Sequence, residues 1–158
     1  EQALKNSFTL MDKEIEKINA KEVGNTGTVV FINNKLLYCA NVGDSSCCLI
    51  GKTAEFITVE DKCTNKKEKK RIEKEGGKII DDRINGILAV SRGFGDFDLK
   101  KYGLICEPHI FKRLIDNTTK EVIGFKISCA NWVNELREKY PDMYKGYRFD
   151  TNDDYLGD

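Results

Sequence analysis

Neither sign of charge is in excess in this chain: 26 Lys and Arg offset 26 Asp and Glu over 158 residues. A general nucleic-acid or membrane-surface role needs a basic surplus, so both are excluded as expectations. No apolar run approaches the roughly 20 residues that span a bilayer. Nothing at the N-terminus reads as a signal peptide, and there is neither an internal repeat nor a low-complexity linker. No pair among Cys39, Cys47, Cys48, Cys63, Cys106 and Cys129 has CxxC spacing. Without a secretory signal a disulfide framework is disfavoured, and a reducing, cytoplasmic setting is expected.

What is present is enough for a core. Hydrophobic residues make up 40% of the chain, which fits one domain or a large piece of one. The chain begins at Glu1 rather than Met and is expected to be a fragment. Cys39, Cys47 and Cys48 lie inside apolar runs, where a thiol behaves as a small hydrophobe. The Cys47–Cys48 pair is expected to alternate in and out of the core. Lysine is dense at Lys62, Lys66, Lys67, Lys69 and Lys70, but Glu68, Glu73 and Glu75 interleave, so a solvated helix face is expected.

Leu4, Phe8, Met11, Ile15 and Ile18 recur at intervals of three and four, which predicts one apolar stripe on a helix over 3–20. Residues 28–32, 35–42, 46–50 and 54–59 read as four strands. They are separated by turn signals at Asn33-Asn34, Gly43-Asp44-Ser45 and Gly51-Lys52, which predicts an antiparallel meander. A polar helix over 66–75 ends at Gly76-Gly77. Segments 78–80 and 84–90 read as a hairpin, and 94–102 as a loop or short helical turn. Two more strands follow Glu107-Pro108, over 110–115 and 121–129, with a turn at Asp116-Asn117 between them. Residues 132–140 read as a helix stopped before Pro141. Helix, strands, helix and further strands make an α+β layer arrangement.

Two local patterns stand out: Gly43-Asp44-Ser45, and ILAVSRGFGDFDLKK from Ile87 to Lys101. With Asp61-Lys62, Glu68, Lys70-Arg71-Ile72, Gly76-Gly77 and Glu107-Pro108, they occur in the order and at the spacing found in metal-dependent protein serine/threonine phosphatases of the 2C type. From about Gly24 to Ile110 the chain resembles that family. Lys62 stands where the family carries a histidine. The resemblance implies an antiparallel β-sandwich flanked by helices, incomplete here. It implies a partial phosphatase-like domain over 1–140 and an acidic tail over 141–158.

The family's reaction uses two divalent cations that lower the pKa of a bridging water and neutralise phosphate oxygens. Hard Mg²⁺ or Mn²⁺ takes oxygen ligands, so the site is built from aspartates. Only Asp44 is carried over as a metal-side residue, and no catalytic residue is assigned. The chain has no Asp-Gly-His-Gly-Gly motif, and its one histidine, His109, lies in the Glu-Pro strand and does not match the family's acid. Residues 3–20 look like the helix that follows that motif, so the motif is expected upstream.

Near residue 130 the family has Asp-Gly-x-Trp-Asp. Here the sequence is Cys129-Ala130-Asn131-Trp132-Val133-Asn134. Ala130 takes the place of the first aspartate and has no oxygen to offer; Asn134 approximates the second. Asp116-Asn117-Thr118-Thr119 resembles the family's terminal Asp-Asn but comes too early and reads as a turn. Asn152-Asp153-Asp154 lies at a better distance but lacks the strand that should follow.

Two readings remain open. One is a catalytically impaired or inactive pseudophosphatase module, with Mg²⁺ or Mn²⁺ weak or absent at Asp44 and a phosphoprotein or signalling-protein partner. The other is an active Mg²⁺/Mn²⁺-dependent phosphoserine/phosphothreonine phosphatase of which this is a fragment or divergent form. Arg92 and Asp96 read as an internal ion pair or as loop-fixing hydrogen bonds. Trp132 reads as core, and Asp150, Asp153, Asp154 and Asp158 as a solvated end.

Overall fold

The computed structural model describes residues 1–18, 23–51, 54–115 and, for the backbone, 121–126. The readings at Asp116–Thr119, Ala130, Trp132, Asn134 and the tail, and the boundary at 140, lie outside the described residues.

The elements run α1 (Gln2–Lys17), β1 (Gly24–Asn25), β2 (Gly27–Asn33), β3 (Leu36–Val42), β4 (Ser46–Ile50), β5 (Ala54–Phe56), α2 (Lys66–Lys74), β6 (Ile79–Ile80), β7 (Arg83–Ile84), β8 (Phe94–Gly95), α3 (Phe97–Lys100), β9 (His109–Leu114) and β10 (Glu121–Lys126). Two three-stranded antiparallel sheets form the body, ordered β2-β3-β9 and β10-β4-β5. Leu37 and Cys39 of the first sheet pack with Cys47 and Leu49 of the second and with Ile57. This cluster is the layer between the sheets, and the architecture is the α+β sandwich that the sequence led us to expect.

The expected four-strand meander is corrected at Gly43–Ser45. β3 and β4 are not hydrogen-bonded neighbours; each is the central strand of its own sheet. The segment between them is a corner that carries the chain from one sheet to the other. The reason is burial on both faces. Leu37 and Cys39 point between the sheets, whereas Ala40 and Val42 point toward α1 and pack with Phe8 and Phe94. Cys47 and Leu49 likewise point inward, while Cys48 and Ile50 pack with Ala54 on the other face. Cys47 and Cys48 therefore do change faces, but both are buried, because neither face of β4 meets water.

Other boundaries shift for local reasons. The β2–β3 turn is centred on Asn34-Lys35, both left-handed (φ 47° and 66°), as a tight two-residue hairpin requires. The fourth strand stops at Phe56 rather than 59. Beyond it one backbone bond continues, Ile57 N–H to Cys47 O (2.9 Å), and then side chains take over the pairing: Cys47 N–H donates to Thr58 Oγ1 (2.9 Å), and Asn41 Nδ2 donates to Val59 O (2.8 Å). The expected strand over 84–90 is only the two-residue β7. Asn85 and Gly86 at φ 52° and 75° turn the chain back, and Ile84 bridges to Leu88 instead.

Helix α1 is rolled relative to its predicted stripe. Leu4, Phe8 and Ile15 do pack inward, with the Phe8 and Phe94 ring centroids 5.1 Å apart. Met11 and Ile18 are exposed. Asp12 takes the inward place, accepting from Gly95 N–H (2.8 Å) and pairing with Lys100 Nζ (2.8 Å). Helix α2 begins at Asn65, whose Oδ1 accepts from Lys67 N–H (3.0 Å). It ends in a Schellman motif: Gly77 N–H reaches Ile72 O and Gly76 N–H reaches Glu73 O. Only Glu68 and Ile72, one turn apart, are buried on it. Among the described residues no helix is long and apolar enough to cross a membrane.

Gly95 gives a direct check of how β8 sits. Its φ is +69°, and a Cβ there would lie 2.0 Å from Val23 O. Gly95→Ala combines a left-handed conformation with a clash against backbone, so a loss of at least about 2 kcal/mol is expected in urea denaturation. An unchanged midpoint would mean that β1 and β8 do not pair as described.

Candidate functional site

The corner is held from three sides. From below, Gly43 N–H donates to Asp61 Oδ2 (2.9 Å), and Asp61 N–H donates back to Gly43 O (3.0 Å). From the β1–β2 side, Thr26 Oγ1 and Ser45 Oγ share a hydrogen bond of 2.7 Å, and Thr28 Oγ1 donates to Ser45 O (3.3 Å). From the far side, Ser46 Oγ donates to Glu60 Oε1 (3.3 Å), and Glu60 pairs with Lys62 (3.3 Å). Asp44 is at the tip of this corner. Its carboxylate is half-buried and makes no hydrogen bond or ion pair with another described residue.

Behind the corner lies a buried ionic cluster. Asp61 has no exposed surface; its Oδ1 is 2.8 Å from His109 Nε2 and 3.5 Å from Arg92 Nε. Arg92 grips Glu68 with two nitrogens, Nε to Oε2 at 3.1 Å and Nη2 to Oε1 at 2.9 Å. Its third nitrogen donates to Glu107 O (2.8 Å). Arg71 pairs with the same Glu68 carboxylate and also donates to Ser91 O (3.0 Å) and Gly103 O. Ser91 Oγ lies 2.9 Å from Glu68 Oε2 and 3.0 Å from Asp61 O. Planar guanidinium groups suit such two-pronged contacts.

Burial by itself would raise the Glu68 carboxyl. Hydrogen bonds from Arg92 and Arg71, and their charges, outweigh it and hold the group down at about 2. For Arg92 burial acts downward, and its bonds to Glu68 outweigh that and raise it. Both groups are therefore charged across the neutral range.

The cluster draws together segments far apart in sequence: the corner, Asp61, the buried face of α2, Ser91-Arg92 and the start of β9. Of the two expected roles, an Arg92–Asp96 ion pair is corrected, since Arg92 turns to Glu68 and Asp61, whereas Arg92 does make a loop-fixing hydrogen bond, to Glu107 O. Asp96 sits on the other side of β8, left-handed at φ 46°, with its carboxylate against the Cα of Gly24. Burial raises its carboxyl, and Lys100 opposes that. Sequence reasoning missed Glu68 as the hub and His109 as the partner of Asp61. The available signal was Glu68 four residues before Ile72, the one apolar residue of α2, which places a carboxylate on the helix's inward face.

Asp44 supplies one carboxylate. Among the described residues, no three His, Cys, Asp or Glu side chains converge on a point that would hold a metal ion. Asp61 and Glu68, the buried acids nearest in the network, are already engaged. The described donor set therefore does not fit a two-cation centre. A cleft between residues 56–59 and β9 is lined by Phe56, Val59, His109 and Phe111, away from Asp44.

The sequence model of the protein phosphatase 2C family matches residues 1–123. The chain is 40% identical over 124 residues to protein phosphatase 2C homolog 3 of Schizosaccharomyces pombe, covering 76% of this chain and 30% of that protein. It is 40% identical over 112 residues to protein phosphatase 2C 56 of Arabidopsis thaliana, covering 68% of this chain and 26% of the relative. The chain thus spans less than a third of these relatives' length. Among solved structures, it superimposes on a C. elegans sex determining protein with a TM-score of 0.69 at 24% identity, covering 73% of this chain and 31% of that one. A serine-threonine phosphatase 2C from Toxoplasma gondii gives 0.67 at 23% identity, covering 75% and 47%. At these identities the two structures speak to the fold.

Proposed function

Because the chain belongs to the protein phosphatase 2C family, we propose that these 158 residues form a 2C-type phosphatase-like unit with impaired or absent catalysis, acting by binding a phosphoprotein or signalling partner. The observation that carries this reading is how the acids at the corner are used. Hydrolysis by paired hard cations needs several carboxylates on the same two ions. Among the described residues, Asp61 and Glu68 are committed to Arg71, Arg92, His109 and the Gly43 N–H, and Glu60 to Ser46 and Lys62, which leaves Asp44 as the uncommitted carboxylate of the corner. Ala130, at the sequence position of a family aspartate, has no side-chain ligand atom. A single Mg²⁺ or Mn²⁺ bound weakly at Asp44 would neutralise charge on a phosphate oxygen. The chain's own part is to hold that carboxylate at a fixed corner.

A second reading has separate support. The chain covers 30% of the S. pombe relative and keeps both Gly-Asp-Ser and Ser-Arg-Gly-Phe-Gly-Asp. That favours an active Mg²⁺/Mn²⁺-dependent phosphoserine/phosphothreonine phosphatase of which these residues are one part.

Hydrolysis of p-nitrophenyl phosphate with Mn²⁺ by a longer chain that supplies the family's Asp-Gly-His-Gly-Gly motif separates the two, since both predict no turnover from the 158 residues alone. The 158-residue chain is expected to show no EDTA-sensitive turnover. In calorimetry it is expected to bind Mn²⁺ weakly, and to lose that binding in Asp44→Asn. Turnover that EDTA and Asp44→Asn both abolish would reject the first reading in favour of the second. A flat Mn²⁺ titration would remove Asp44 as a metal ligand.

A further inference from the structure

The corner that carries Asp44 has a thiol on each strand behind it. Cys39 on β3 and Cys47 on β4 belong to different sheets, yet they lie in one cluster with Leu37, Leu49 and Ile57. Their exposures are 1% and 0%. The two thiols hydrogen-bond to each other. That bond, with burial added, pushes Cys39 far above the usual thiol range, and the same bond lowers Cys47 against the opposing effect of burial. The two sulfurs thus act as one pair, each affecting the other's proton. The remaining described cysteines lack this arrangement. Cys48 faces the opposite side of β4 with Ile50 and Ala54, and burial pushes it up to about 11. Cys63 and Cys106 sit in two other clusters.

We propose that Cys39 and Cys47 form an oxidisable dithiol, and that a peroxide joins them in an inter-sheet disulfide that clamps the Gly43–Ser45 corner. The chemistry balances with hydrogen peroxide as the two-electron oxidant. The Cys47 sulfur attacks one peroxide oxygen, the O–O bond breaks, and one water leaves as Cys47 becomes a sulfenic acid. The Cys39 sulfur then attacks the Cys47 sulfur, the S–O bond breaks, and the second water leaves with the Cys39 proton. Two thiols and one peroxide give one disulfide and two waters.

Buried single thiols are ordinarily inert. What differs here is a second thiol already within hydrogen-bonding reach. The sulfenic acid meets its resolving partner at once, so oxidation stops at the disulfide rather than climbing to sulfinic acid. The sulfurs need only close from hydrogen-bond separation to about 2.05 Å. They do so where the chain between the strands is short, since only Gly43–Ser45 separates β3 from β4. This inference does not depend on whether the unit hydrolyses phosphoesters.

The test is peptide mapping of the folded 158-residue chain titrated with hydrogen peroxide. Remaining thiols are alkylated under denaturing conditions, and digestion is at aspartate. Cleavage before Asp44 separates Cys39 from Cys47 and Cys48. The two peptides are expected to become linked with the loss of two hydrogens, from undetectable to the dominant oxidised species, while near-ultraviolet dichroism stays native. Cys48→Ala should keep the link; Cys39→Ala and Cys47→Ala should each abolish it. The wild-type map needs no variant to fold. Linkage that disappears in Cys48→Ala would overturn the proposal. So would sulfinic acid at Cys47 in the wild type, or oxidation that occurs only in denaturant.

Discussion

Replacing Arg92 with alanine is expected to lower stability by about 3–5 kcal/mol, the range for removing one partner of a buried ion pair. The Arg92 and Glu68 side chains are 13% and 7% exposed. Truncation removes both prongs on Glu68, the cation beside Asp61, and the bond to Glu107 O. Two buried carboxylates are then left with Arg71, Ser91, His109 and a backbone N–H between them. The cost comes mainly from that unmet desolvation rather than from the net value of the pair. Arg92→Lys should recover part of the loss, because it restores the charge but not the fork. Arg92→Ala combined with Glu68→Ala should cost less than the sum of the single changes, because the contact is shared. The exposed pair Lys17–Glu14, at 69% and 52% exposure, is the contrast, where removal should cost under about 1 kcal/mol. Urea denaturation measures all of these. A loss near the surface-pair value for Arg92→Ala would show that water reaches the cluster.

The second large effect is in acid. Glu68 titrates at about 2 in the folded chain against an ordinary value of 4.5. A carboxyl whose pKa is depressed by folding binds fewer protons in the native state. Its stabilisation is complete above about pH 4.5 and declines as pH falls toward about 2. The full amplitude is about 3 kcal/mol at 1.36 kcal/mol per pKa unit. Glu68→Gln should be less stable at neutral pH and should lose much less between pH 4.5 and 2. Asp96 acts with the opposite sign: its carboxyl is raised by burial, so its small contribution opposes folding at neutral pH and fades on acidification. A parallel pH profile in wild type and Glu68→Gln would mean that Glu68 is not the acid-labile group.

Much of the local structure was legible in the residues. The first helix followed from the spacing of Leu4, Phe8 and Ile15. The β2–β3 hairpin followed from β-branched runs around an Asn turn, and the end of α2 from Gly76-Gly77. The family was legible through four short motifs in order. The roll of α1 was not, because Asp12 is polar and periodicity assigns it outward. Only the Gly95 N–H and Lys100, brought from far along the chain, make it an inward residue. Nor was the ending of the fourth strand at Phe56, since a Thr hydroxyl and an Asn amide substituting for ladder bonds leave no mark on hydrophobic alternation.

The candidate site divides the same way. The expectation at Asp44 rests on its neighbours Gly43 and Ser45, which are local. That Arg92 would choose Glu68 and Asp61 over Asp96, four residues away, was not.

Sequence by itself decided that a first helix, a β2–β3 hairpin and the end of α2 form where they do, which lineage the chain belongs to, and that an aspartate stands between two apolar runs. Those properties depend on contacts within a turn or on a repeat of two or about four residues. The packed molecule decided that those two runs lie in different sheets and which charges meet behind the aspartate. An ion chooses its partner by how much water both lose, and that is settled only when distant segments close over them.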